Sequence, residues 1–153
     1  MNKLKFLIIF LVFIFTGLTK AYANVCSVSS PTLSFGQYDA RPGALNTSTA
    51  TVTVTCSDMK ADTPYTLTLY KSKQSFAMSH GADIMYYQLF TSANYTTVWD
   101  NLNSISGIVK NNGGNGSDTK TVYAKIITNQ IGKSSGAYNS GADPVMINLN
   151  YLP

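Results

Sequence analysis

The sequence predicts an all-β domain, an antiparallel sandwich of about seven short strands, behind a segment removed on export. Three observations predict it. Apolar and polar residues alternate along most of the chain, clusters of Gly and Asn separate the alternating runs, and no window beyond residue 23 carries an apolar stripe at helical spacing.

The first 23 residues stand apart from that domain. Lys3 and Lys5 precede an apolar run from Phe6 to Leu18, and Ala21-Tyr22-Ala23 follows. A charged start, an apolar stretch and a small-x-small site form a secretory signal peptide, residues 1–23. A membrane-crossing helix needs roughly 18–20 residues, and this run is shorter. The mature chain is expected to span 24–153 as one domain, long enough to bury a core. Losing Lys3, Lys5 and Lys20 takes 11 basic residues to 8, against 7 acidic, so the net charge falls from +4 to +1. The remaining cations, Arg41 to Lys133, are scattered rather than clustered. That excludes a basic patch for nucleic acid.

Thr32 to Tyr38 is the first short candidate strand. From Thr49 to Cys56, Ala50, Val52, Val54 and Cys56 share one face and four threonines the other, the pattern of a half-buried strand. Pro64 opens a run in which Tyr65, Leu67 and Leu69 alternate with Thr66, Thr68 and Tyr70. From Ile84 to Thr91, Ile84, Tyr86 and Phe90 oppose Met85, Tyr87 and Leu89. Tyr95 to Trp99 is a second short candidate. From Thr121 to Thr128, Val122, Ala124 and Ile126 oppose Tyr123, Lys125 and Ile127. In the last run Val145, Ile147, Leu149 and Tyr151 share a face. Arg41-Pro42-Gly43, Ser79-His80-Gly81 and the stretch NNGGNGS at 111–117 read as turns, because Gly and Asn adopt positive φ at little cost.

Two cysteines, Cys26 and Cys56, survive cleavage. In an exported chain an isolated pair is most simply a disulfide; metal ligation would want four ligands, and His80 is the sole histidine. No metal and no cofactor is expected. The chain offers little chemistry. No Ser or Cys sits in a nucleophile motif, Glu is absent, and the seven aspartates lie mostly at strand ends or in turns, where they bond backbone amides. A non-enzymatic domain is expected. Ten tyrosines form the notable excess, and Tyr86, Tyr87, Tyr95 and Trp99 fall close together. They read either as core and strand packing or as an adhesive aromatic surface.

The motifs Cys26-Ser-Val, Leu33-Ser-Phe35-Gly36-Gln-Tyr38-Asp39, Val52-Thr-Val54-Thr-Cys56 and Tyr65-Thr-Leu67-Thr-Leu69 open a longer pattern. It continues through Tyr87-Gln88-Leu89-Phe90, Trp99-Asp100, Val122-Tyr123-Ala124-Lys125-Ile126 and Gly136-Ala-Tyr138, and ends on the run at 145–151. In order and spacing this resembles the spore coat protein U domain family, which includes pilins of the archaic chaperone–usher pathway. Val98 and Ala124 stand where that family usually has Gly, and an arginine common ahead of the third strand region is missing.

The resemblance implies an immunoglobulin-like sandwich lacking its last strand. A periplasmic chaperone would lend that strand, and at an outer-membrane usher a neighbouring pilin subunit would replace it. Val145, Ile147, Leu149 and Tyr151 would then edge the groove that receives it. The product would pass through the periplasm to a fimbrium on the cell surface. A donating subunit needs about ten extended residues ahead of its first strand, at about 3.3 Å each. Only Asn24 and Val25 precede Cys26 after the expected cleavage, which points to a tip or terminating subunit. A self-complete secreted coat, matrix or carbohydrate-binding domain is the alternative.

Overall fold

The computed structural model describes residues 23–39, 41, 44–70, 75–130, 132–134, 136–138 and 143–152. The expected signal peptide, apart from Ala23, lies outside the described residues. Those residues form eight strands and no helix: β1 (Val25–Val28), β2 (Thr47–Ser57), β3 (Thr63–Leu69), β4 (Phe76–His80), β5 (Asp83–Phe90), β6 (Ile105–Val109), β7 (Gly116–Ile126) and β8 (Ile147–Tyr151).

They make an all-β, immunoglobulin-like sandwich of two antiparallel sheets, one ordered β1-β2-β7-β5-β4 and the other β6-β3-β8. The register puts the apolar side of each alternating run inward. Val52 and Val54 on β2, Leu67 and Leu69 on β3, Met85, Tyr87 and Leu89 on β5, and Val122 and Ala124 on β7 fill one core. Between the sheets stands Trp99, fully buried, whose indole N–H donates to the Leu67 carbonyl at 3.1 Å.

Five of the expected strands form, as β2, β3, β5, β7 and β8. The two short candidates do not. Tyr95 has a φ of 55° and closes a turn on the Ser92 carbonyl, so the run to Trp99 folds back along β5 with a single bridge, Phe90 to Val98. The stretch from Thr32 to Tyr38 joins no ladder, yet Pro31, Leu33 and Phe35 are half-buried while Thr32, Ser34 and Gly36 are exposed. It keeps a strand's alternation without a strand's partner.

The NNGGNGS stretch folds as a tight hairpin turn. Gly113 (φ 63°) and Gly114 (φ 92°) sit between Asn112 and Asn115, which bridge each other, as a two-residue hairpin turn with positive φ at both centres requires. Asn111 braces it, accepting from Gly114 N at 2.8 Å and donating to the Met59 carbonyl at 3.3 Å. β7 begins at once, at Gly116.

Candidate functional site

In β3, at the centre of its sheet, the inward residues Tyr65, Leu67 and Leu69 are 3%, 0% and 2% exposed. β8 pairs with β3 from Tyr65↔Tyr151 to Leu69↔Ile147, and among the described residues no strand pairs with its other side. Its inward residues Ile147, Leu149 and Tyr151 pack on the core but stay half-buried, while Asn148 and Asn150 face out. Val145 precedes the strand and is buried.

The opposite edge has the same character. β1 ends the five-stranded sheet, and the stretch after it follows β2 through Ser29 N to Thr53 O at 2.9 Å and Ser48 Oγ to Ser34 O at 2.7 Å. Val28, Leu33 and Phe35 there are again half-buried against the core. So two extended, apolar-alternating edges, one from each sheet, border an incompletely covered part of the core. They meet at one end, where the Tyr151 hydroxyl accepts from Cys26 N and donates to Asn24 O, both at 3.3 Å.

Cys26 and Cys56 are disulfide-bonded, with Cα atoms 4.1 Å apart as directly opposed residues of β1 and β2. The bond fastens the four-residue β1 to the sheet. Next to the far part of this edge lies a cleft of about 390 Å³, lined by Phe35, Tyr38, Met78, Ile126 and Tyr138 and by Gly136, which abuts the His80 ring.

The aromatic cluster, which read either as core packing or as an adhesive surface, is divided. Tyr87 and Trp99 are fully buried, because alternation along β5 turns Tyr87 inward and the loop after it drives Trp99 between the sheets. Neither can meet a ligand from outside, and for these two the adhesive expectation gives way to core packing. Tyr86 is 46% exposed on the outer face, and Tyr95 is half-buried there, edge-on to Phe90 and Tyr123 at 5.4 and 6.3 Å.

The aspartates serve local structure. Asp62 binds Lys110 Nζ at 2.7 Å, which together with Asn111 N–H holds its carboxyl below the usual range. Asp83 accepts from Ser134, with the same effect. The Arg41 guanidinium brings Asp39 down to about 2. Asp100 accepts from Leu102 N and Asn103 N at 2.8 Å, and Asp143 from Ala77 N at 2.7 Å. Sequence reasoning missed Asp118, which faces inward from β7 and accepts from Tyr65 across the sandwich. Its position on the same face as Val122 was the available signal.

Fold and edges together define a two-sheet, disulfide-clipped β-sandwich with an open side. The chain belongs to the Spore Coat Protein U domain family, whose model matches residues 14–142. Among solved structures it is similar to a chain in the crystal structure of the CsuC–CsuE chaperone–tip adhesion subunit pre-assembly complex, from the archaic chaperone–usher Csu pili of Acinetobacter baumannii. That match has a TM-score of 0.47 and 14% identity, covering 84% of this chain and 40% of that one. This chain thus spans less than half the length of its structural neighbour. No curated protein matches it.

Proposed function

We propose that the chain is a structural subunit of a chaperone–usher surface pilus whose sandwich is completed by a strand from another protein. The observation that carries this reading is the pair of open edges. Ile147, Leu149 and Tyr151 on one side, and Val28, Leu33 and Phe35 on the other, stay half-buried against the core. An extended segment laid between them would satisfy backbone groups along β8 and cover those side chains, the physics of strand addition. A periplasmic chaperone, an outer-membrane usher and neighbouring subunits are the partners this implies. Membership in the family supports the reading, and the role is non-catalytic. Residues 1–23 act as the signal peptide. If cleavage follows Ala23, the subunit accepts a strand and donates none, a tip or terminating position that leaves it free to touch a surface. N-terminal sequencing of the exported protein tests that position, which a longer mature tail would overturn.

The main test expresses residues 24–153 in a bacterial periplasm with and without a chaperone of this pathway. Loss of the domain alone, and its recovery as a one-to-one complex, is the expected result. A stable, cooperative monomer without the chaperone would instead make this a self-complete secreted coat or matrix domain.

A further inference from the structure

We infer that Asn112 is a site of self-modification, at which the side-chain amide is lost and Asp or isoaspartate takes its place. The chemistry is local and needs no enzyme. The backbone nitrogen of the next residue attacks the Asn side-chain carbonyl carbon. A C–N bond forms, the bond to the side-chain nitrogen breaks, and ammonia leaves with the proton of the attacking N–H. Water then opens the cyclic imide at one carbonyl or the other, giving Asp or an isoaspartate whose main chain runs through the side-chain carbon. Nothing is oxidised or reduced. The attacking nitrogen must be unhindered and free to turn, which favours a following Gly.

The chain holds two Asn-Gly pairs, Asn112-Gly113 and Asn115-Gly116, and the fold treats them differently. Both asparagines are exposed, so water reaches each. Gly116 opens β7 opposite Cys56 of β2. Ile126 N donates to Asn46 O at 2.9 Å, which sets the phase of that ladder. The even-numbered residues of β7 turn their N–H groups toward β2, Gly116 among them. A methyl group at Gly116 would overlap the Lys110 carbonyl, so the backbone there is closely packed. Gly113 is the reverse. It stands first in the turn, at φ 63°, with nothing within 4 Å of where a Cβ would be. Among the described residues no group accepts its N–H, because the hairpin's paired bonds run between Asn112 and Asn115. The peptide plane joining Asn112 to Gly113 is held through the Asn112 carbonyl alone, by a long bond of 3.3 Å from Asn115 N. Opening that one bond frees the nitrogen to reach the side chain.

The product changes the turn. Either acid adds a negative charge, and isoaspartate lengthens the main chain by one carbon, so the Asn112–Asn115 pair loses its register. Asn111 fastens this turn to the Met59 carbonyl, and Gly114 O accepts from Met59 N at 2.8 Å. Modification therefore loosens the start of β7 as the protein ages. The inference holds however the sandwich is completed.

The test incubates the folded, soluble protein, alone or as its chaperone complex, in warm, mildly alkaline buffer made with heavy-oxygen water. Peptide mass spectrometry at intervals reads the label at each position, and an isoaspartyl methyltransferase counts the isoaspartate. Label should enter at Asn112 about fivefold faster than at Asn115, the protection that one ladder hydrogen bond gives. In denaturant the two rates should converge. Hydrogen exchange over the first residues of β7 should be faster in aged protein than in fresh. Asn112→Gln, whose longer side chain would have to close a larger ring, should remove the label at that position and the ageing effect while leaving circular dichroism unchanged. Absence of label at Asn112 overturns the inference, as does entry at Asn115 that is equally fast. The same ratio of rates in the fold and in denaturant also overturns it, since the fold would then select neither site. Chaperone capture is read separately, so a failure here and a failure of the pilus reading are distinguishable.

Discussion

The Tyr65 hydroxyl donates to Asp118 Oδ2 at 2.9 Å, tying β3 of one sheet to β7 of the other. Lys120 supports the same carboxylate at 3.1 Å, and a methyl group at Gly107 would overlap both the Tyr65 hydroxyl and Asp118. Burial pushes the Asp118 carboxyl up, but the Tyr65 hydroxyl and the Lys120 ammonium outweigh it, and the group titrates below its usual range. Burial first, and Asp118 second, push the Tyr65 phenol above its usual range.

The signs of these shifts set a pH profile. Ionised Asp118 favours the fold, so its contribution is complete above the unfolded carboxyl value of about 4 and is lost as pH falls through the lower folded value. Neutral Tyr65 favours the fold, so its contribution is complete below about pH 10 and is lost as pH rises toward the higher folded value. Urea midpoints against pH should lose part of the acid limb in Asp118→Asn and part of the alkaline limb in Tyr65→Phe. At neutral pH Tyr65→Phe should cost about 1.5–3 kcal/mol.

Removing the disulfide should be more costly. It closes a separation of 30 residues, for which chain entropy gives about 3–4 kcal/mol. A double Cys26→Ala, Cys56→Ala variant should show that loss in chemical denaturation. The wild type under reductant should match it.

Trp99 reports on the core. It is fully buried and its indole N–H is spent on Leu67, so its emission should be blue-shifted and resist acrylamide. Trp99→Phe should destabilise by about 1–3 kcal/mol through the lost hydrogen bond, measured by far-ultraviolet circular dichroism. Ready quenching in the native state would place the ring outside the core.

At the open edge, Leu149→Ala should weaken strand capture more than it weakens the isolated fold. Covering Leu149 with an inserted strand contributes up to about 2 kcal/mol, which corresponds to roughly thirtyfold in affinity. Titration of the chaperone complex against Leu149→Ala and the exposed Asn150→Ala variant checks this, and the second change should have little effect.

The hairpin gives a local test. Gly114→Val puts a β-branched residue at φ 92°, where the steric cost is at least about 1–2 kcal/mol. Gly114→Asn should recover much of it, because Asn tolerates positive φ. Thermal unfolding of the pair separates backbone strain from lost contacts.

Much of the fold was legible because alternation survives folding: β2, β3, β5, β7 and β8 all sit on runs of period two. β1 was too short to read, β6 carries Gly107 at its centre, and β4 lacks β-branched residues. Thr32 to Tyr38 shows the opposite error, since alternation describes a face while a ladder requires a neighbour. On β5 the sequence put Tyr86 and Tyr87 on opposite faces but could not say which face was buried. That β8 is a strand was readable from its own residues, whereas its place at a sheet edge was only what the family resemblance implied. The Tyr65–Asp118 bond was not, because the two residues lie 53 positions apart and meet only when the sheets close.

The disulfide also decides how the domain bears a mechanical load. A pull on the chain just ahead of Val25 could peel only the Val25–Ser57 pair before it met a covalent crosslink at Cys26, which shields the rest of β1. Force passes instead into Cys56, at the end of the ten-pair ladder that joins β2 to β7. Tension along that ladder loads its hydrogen bonds together, in shear. In the reduced protein the same pull would undo β1 one pair at a time, like a zip.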